Sequence, residues 1–243
     1  MTDADLDHHL AVAALAAARA SALLAASRQA LAQVVAEEGR EVKVAADQAA
    51  EEVIVETLRR LAPLPVLSEE TGWIDAAGSR GVFWAVDPLD GSVNYAQGYP
   101  HCGSSIALVR DGVPVVGVVD LFVLGETFTG AVGRGAWLNG APIRPSKVSD
   151  PARGVLNTGA PARLALDQAA QARFIAQLTQ WRKIRMIGSA AAAIAYVANG
   201  RADGYHETGG MIWDVAGACA VAAAAGCAVA IEGALDGPLS VTV

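Results

Sequence analysis

Apolar and polar positions change rhythm twice along this chain of 243 residues. From about residue 4 to 38, alanine and leucine dominate and strong breakers are scarce before Gly39, a composition that predicts a long helix. A second helix is expected over 47–61. Asp47 can act as its N-cap, Glu51 and Glu52 put negative charge near its first turn, and Pro63 and Pro65 stop it. Val66-Leu67 reads as a short strand ending at Ser68-Glu69-Glu70. Between about 82 and 158, the stretches 104–109, 113–121 and 127–132 are rich in Val, Ile and aromatic residues. Turns at Asp111-Gly112 and Asn139-Gly140 punctuate them, so this part reads as an antiparallel sheet built from hairpins. After Pro161 the elements alternate: helix 166–179, strand 183–187, helix 189–198, strand 203–206, helix 214–225 and strand 227–231. That alternation predicts an α/β unit with a partly parallel sheet. The best boundary is 159–161, which divides the chain into an α+β lobe (1–160) and an α/β lobe (161–243) forming one compact unit.

Hydrophobic residues make up 53% and charged residues 18%, which excludes wholesale disorder. A net charge of −7 offers no electrostatic footprint for nucleic acid or an anionic membrane. An acidic chain that binds an anionic ester needs a cation between them. Cys102, Cys219 and Cys227 are odd in number and lack zinc-ligand spacing, so reduced thiols in a cytoplasmic protein are expected. The acidic start has no basic region of the kind that opens a signal peptide. The uncharged run 215–231 is short for a membrane span and reads better as a buried helix leading into a strand.

The chemistry concentrates in residues 84–95, Trp-Ala-Val-Asp-Pro-Leu-Asp-Gly-Ser-Val-Asn-Tyr. An apolar strand, 82–86, delivers Asp87 and Asp90 around a proline-containing turn, and Gly91 and Ser92 follow. Hard oxygen donors on a stiff turn suit Mg²⁺, and the backbone N–H groups after them suit a phosphate. Glu69, Glu70 and Asp214 also stand at the ends of apolar elements, from which they can converge in one cleft. Read alone, each has a plainer alternative: a solvated turn charge for the glutamates, a helix N-cap for Asp214, and turn formation for Asp87 and Asp90.

The stretch from Trp84 to Tyr95 closely resembles the first signature of the inositol monophosphatase family. Trp213-Asp214-Val-Ala-Gly-Ala218, followed by Ala225-Gly226, resembles the second. Ser68-Glu69-Glu70 is similar to the family's Gly-Glu-Glu turn, Gly188-Ser189-Ala190 to its Gly-Thr/Ser-Ala segment, and Ala46-Asp47 loosely to its Thr-x-x-Asp region. Together these motifs run in order over about residues 10–240. Ser92 stands for the commoner threonine, Tyr95 for phenylalanine, and Ala36 where relatives carry a lysine. The chain stops at Val243, where many relatives add a strand and a terminal helix, which leaves edge coverage and dimer geometry open.

The resemblance implies a layered αβαβα sandwich of the inositol monophosphatase/fructose-bisphosphatase type. It also implies a lithium-sensitive phosphomonoesterase working with two to three Mg²⁺ ions and activated water. Metal ligands would be Glu69, Asp87, Asp90, Asp214 and the Leu89 carbonyl. Ser92, with Glu69 and Asp47, would orient and deprotonate the water. Gly91 and Ser92 would hold the phosphate, while Ser189, Ala190, Glu207 and Asp214 would face the substrate. The expected substrate is a small polyol or sugar phosphate, inositol phosphate first. Histidinol phosphate, 3′-phosphoadenosine 5′-phosphate and fructose 1,6-bisphosphate are the alternatives. A homodimer without nucleic-acid or membrane partners is implied, and the non-enzymatic alternative is a regulatory member acting through partners such as the transcription machinery.

Overall fold

A computed structural model describes residues 2–38, 41–75, 81–160 and 167–243. The first elements are α1 (Asp3–Ala26), α2 (Arg28–Leu31), β1 (Val34–Glu38), β2 (Glu41–Val44) and α3 (Ala45–Leu61). Then come β3 (Val66–Ser68), β4 (Gly72–Ile74), β5 (Val82–Asp90), α4 (Ser92–Gln97), β6 (Gly103–Arg110) and β7 (Val113–Leu121). The middle closes with β8 (Glu126–Ala131), β9 (Gly135–Leu138), β10 (Ala141–Pro142) and β11 (Val155–Thr158). The last part holds α5 (Gln168–Gln180), β12 (Lys183–Arg185), α6 (Ala190–Ala198), β13 (Gly204–Gly210), α7 (Ile212–Ala225), β14 (Ala230–Glu232) and β15 (Leu239–Thr242).

Eight strands form one sheet in the order β10-β9-β8-β7-β6-β5-β3-β4, and five form another in the order β12-β11-β13-β15-β14. The side-chain period of two sends neighbouring residues to opposite faces. Trp84, Val86, Ile106 and Leu108 therefore pack with Ala13, Ala17, Ala20, Ile54 and Leu58 of α1 and α3. Phe83, Ala85, Ala107 and Val109 pack on the other face with α6, α7, Tyr205 and Val241. Helices α6 and α7 thus fill the space between the two sheets, and α5 lies outside the smaller one. The layers are α, β, α, β, α, as the resemblance implied.

Helix α7 lies unusually close to the large sheet. A Cβ at Gly117 of β7 would fall 2.0 Å from the Gly217 carbonyl and 2.8 Å from the Ala220 Cβ. One at Gly130 of β8 would fall 2.8 Å from the Val221 Cα. This contact explains the alanine and glycine content of 215–226: small side chains on both surfaces bring helix backbone onto strand backbone.

Several expectations change. The first helix ends at Ala26 rather than running to 38, because the β-branched Val34 and Val35 begin a hairpin in which β1 pairs with β2. Gly39, expected to break that helix, lies outside the described residues, as do Pro161 and the expected start of helix α5 at Leu166. Asp47 and Asp214 are not N-caps but third residues of their helices. Each folds back to accept the N–H of the cap residue, from Val44 at 2.6 Å and from Met211 at 2.7 Å. Neither Val44 nor Met211 carries an oxygen that could cap, so the carboxylate one turn in satisfies the orphan donor. The expected turn at 87–90 is instead the continuation of β5, kinked by a bulge between Asp87 and Asp90.

The strands β1, β2, β4 and β15 carried no expectation. The smaller sheet is mixed: β12, β11 and β13 are parallel, whereas β15 is antiparallel to β13 and β14. It draws on β11, which precedes residue 160. Helix α1 is long and apolar enough by length and composition to cross a membrane. Its face of Val12, Ala13, Ala16, Ala17, Ala20 and Leu24 is buried against α3 and the large sheet.

Because backbone meets backbone where α7 crosses β7, Gly117→Ala is expected to destabilise the fold by about 1–3 kcal/mol, through overpacking of a filled interface. A urea unfolding midpoint equal to that of the parent would contradict the close approach.

Candidate active site

Three separate segments bring their carboxylates to one point. Strand β3 pairs parallel to β5, and the Glu69 N–H donates to the Val86 carbonyl at 3.1 Å, which sets Glu69 beside Asp87. The first turn of α7 carries Asp214 to the same place. Ligand oxygens of Glu69, Asp87 and Asp214 all lie within 4.8 Å of one another. Of the two neighbouring glutamates, Glu70 turns away to an ion pair with Lys43 at 2.9 Å.

Burial and like charge act together on this cluster. Burial, and then the charges of Asp214 and Glu70, push the Glu69 carboxyl from 4.5 up to about 8. Asp87 is raised well above its usual range by burial, then by Glu69, Asp90 and Asp214. Three anionic oxygens this close repel strongly at low dielectric. Hard carboxylate donors at this spacing suit a divalent cation such as Mg²⁺, which would reverse the repulsion.

The other expected residues occupy defined places around the cluster. Asp90 turns toward helix α6, where its Oδ2 accepts the Ser189 hydroxyl at 2.5 Å and the Ala191 N–H at 2.7 Å. Burial raises it to about 6, and these two donors oppose the rise. Asp90 thus stands outside the group of mutually close oxygens, although its charge still acts on Asp87. Ser189 is the N-cap of α6, and Ala190 is its first residue. The Leu89 carbonyl lies 3.0 Å from the Ser92 hydroxyl, which is 2.8 Å from Asp47 Oδ1. Asp47 is raised to about 6, mainly by burial. Gly91 adopts φ +84°, and a Cβ there would fall 2.8 Å from the His101 carbonyl, so conformation and space both require glycine.

Glu207 projects from β13 toward the same region and is raised to about 7, chiefly by burial. Asp214 and Asp90 add to the rise. Gly159 leaves room for this side chain, since a Cβ there would fall 2.0 Å from Glu207 Oε2.

Two contributors escaped the sequence reading. Lys43 neutralises Glu70 beside the cluster, and nothing in its local sequence marks it. Asn94 Nδ2 lies 2.8 Å from the carbonyls of His101 and Ile187 and 3.2 Å from that of Gly188. It ties the segment after β5 to the loop that opens α6. Its position inside the 84–95 signature was the available signal.

A layered αβαβα chain with buried carboxylates gathered at strand ends and a helix start has the architecture of a metal-assisted phosphatase. The model of the inositol monophosphatase family matches residues 5–234, and the chain belongs to that family. An inositol monophosphatase from Anabaena superposes with a TM-score of 0.83 at 34% identity, covering 98% of this chain and 91% of that one. The extragenic suppressor protein suhB of Bartonella henselae gives 0.83 at 31% identity, covering 98% and 93%. The Nus factor SuhB of Xylella fastidiosa is 44% identical over 172 residues, which are 70% of this chain and 62% of that protein. The matched region therefore spans less than two thirds of that relative.

The raised carboxyls give the metal-free protein a specific pH dependence. Glu69 binds its proton more tightly folded than unfolded, so its contribution to stability is full below about 4.5 and is lost as pH rises toward about 8. In EDTA, the melting temperature is expected to fall between about pH 5 and about pH 8, and Mg²⁺ should restore it at the upper end. Asp87→Asn should flatten the slope. A melting temperature rising across that range in EDTA would contradict the buried cluster.

Proposed function

We propose that this chain is a Mg²⁺-dependent phosphomonoesterase that hydrolyses a small polyol or sugar phosphate, inositol-phosphate-like. The observation that carries the reading is the convergence of Glu69, Asp87 and Asp214 within 4.8 Å. Those three residues would hold the cation, with Asp90 and the Leu89 carbonyl as further donors and two to three ions in all. When bound, the ions would lower the pKa of a nearby water and offset the ester's negative charge.

The chain's own groups supply position and proton handling. Asp47 Oδ1, 2.8 Å from Ser92 Oγ, holds that hydroxyl in place and can take its proton. Glu69, protonated up to about pH 8 without a counter-charge, becomes an available base once a cation favours its anionic form. Gly91 and Ser92 would contact the phosphate through backbone N–H groups. On the alcohol side, Glu207, Ser189, Ala190 and Asp214 would meet the substrate's hydroxyls. Phosphoryl transfer to water needs positioning and charge compensation rather than a covalent nucleophile. Lithium sensitivity, a homodimer and a cytoplasmic setting belong to the same proposal.

The name of the Xylella relative favours a second reading, in which the chain serves mainly as a regulatory binding partner. Asp87→Asn separates the two. Under the enzymatic reading, Mg²⁺-dependent phosphate release from inositol 1-phosphate falls at least about 100-fold, while circular dichroism stays at the parental level. Undiminished turnover in that variant overturns the assignment. Absence of Mg²⁺-dependent phosphate release from the parent, with partners still captured, supports the regulatory reading.

Glu207→Ala should weaken kcat/KM for inositol 1-phosphate by about tenfold or more relative to an aryl phosphate, because a carboxylate that accepts substrate hydroxyls is lost. Equal losses on both substrates would remove Glu207 from the alcohol side.

A further inference from the structure

Helix α3 presents two carboxylates one turn apart, Asp47 and Glu51, and residues four apart share a helix face. Asp47 accepts the Ser92 hydroxyl at 2.8 Å. Glu51 is buried, with 5% of its surface exposed, and stands outside the group of mutually close carboxylates. Its Oε1 accepts the Thr71 N–H at 3.1 Å, and its Oε2 accepts the Thr71 hydroxyl at 2.6 Å. Both oxygens of one carboxylate are thus directed at a single residue, two positions beyond Glu69.

That residue closes a short loop. Ser68 pairs with Gly72 in the β3–β4 hairpin, so Glu69, Glu70 and Thr71 form its tip. The near side of the tip is held by the bond from the Glu69 N–H to the Val86 carbonyl. Past the tip the chain enters β4, which ends the large sheet. Support for the far side comes from α3, through the fork on Thr71, and from β2, through the Lys43–Glu70 ion pair at 2.9 Å.

The fork resists a definite force. Repulsion of Glu69 by Asp87 and Asp214 acts to drive this tip away from the ends of β5 and α7. Hydrogen bonds to an ionised carboxylate are among the stronger ones, and two to one residue fix its orientation as well as its place.

We infer that Glu51 is a positioning residue for the metal site: through Thr71 it holds the hairpin tip so that Glu69 stays in reach of a cation shared with Asp87 and Asp214. Glu51 acts only through Thr71 and touches neither cation nor ester. Helix α3 thereby sets the spacing between the Glu69 loop and Ser92, one carboxylate for each. The inference deepens the phosphatase reading and rests on its metal site.

Mg²⁺ binding to the full chain, measured by titration calorimetry, tests it. Thr71→Val keeps the side chain's shape and the N–H bond but removes the hydroxyl. Glu51→Gln puts an amide NH₂ where an acceptor oxygen stood. Each should raise the Kd of the tightest Mg²⁺ by about tenfold. Thr71→Ser retains the hydroxyl and should bind Mg²⁺ as the parent does. A contact that only supports the fold would lower the melting temperature in EDTA and leave the Kd unchanged. That result, in variants with parental circular dichroism, overturns the inference while the metal site stands. Equal weakening in Thr71→Ser and Thr71→Val overturns it as well. Absence of Mg²⁺ binding by the parent overturns both the inference and the metal site. Thr71 is exposed at the hairpin tip, so its variants carry the test if Glu51→Gln does not fold.

Discussion

Mutual repulsion among buried carboxylates is the constraint on which the site depends. Glu69, Asp87 and Asp214 lie within 4.8 Å of one another, and burial and like charge drive Glu69 to about 8. A folded chain tolerates such a cluster either by keeping protons on it or by adding positive charge. Lys43 is committed to Glu70, one residue away from the cluster, so a divalent cation is the natural counter-charge. The anionic ester of the proposed function would need the same charge reversal from a chain of net charge −7.

The cluster owes its compactness to packing elsewhere. Glycines at 117 and 130 let α7 settle onto the large sheet, and Gly217 on the helix completes the fit. The helix start that carries Asp214 is thereby held against the ends of β3 and β5. The bulge in β5 then separates the roles of its two aspartates. Asp87 faces the cluster, whereas Asp90 reaches the N-terminus of α6, whose donors favour an anion. Asn94 ties the same two regions together through backbone carbonyls. The carboxylate cluster and the start of α6 are thus mechanically linked through Asp90 and the segment after β5.

The two halves of the site differ in how local their sources are. The residues that the proposal gives to the phosphate and most of its metal ligands come from one continuous stretch, 87–92. The residues that the proposal sets against the alcohol, Glu207, Ser189, Ala190 and Asp214, come from β13, the start of α6 and the first turn of α7. Under that proposal, variation in β13 and at the start of α6 would alter the acceptable alcohol without touching Glu69 or Asp87, a physical route to different substrates on one scaffold.

Strong local signals were legible without a structure. Residues 84–95, the Glu69-Glu70 pair and Trp213-Asp214 stood out because chemistry, turn formation and strand pattern coincide there. Hairpins at Asp111-Gly112 and Asn139-Gly140 were readable because αL turns demand those residue types, and Asp111 and Asn139 do adopt positive φ. Tertiary contacts decided the rest. The sequence after Ala26 has helical composition, but cross-strand pairing turns 34–38 into a strand. Capping preference suggested N-cap roles for Asp47 and Asp214, yet the helices begin earlier and use those carboxylates one turn in. Which glutamate of the pair faces the cluster and where Asp90 points depend on contacts between distant segments. Hydrophobic pattern and turn chemistry act between near neighbours and can be read along a chain. The gathering of charges in a low-dielectric pocket depends on three-dimensional distance, which only the packed structure sets.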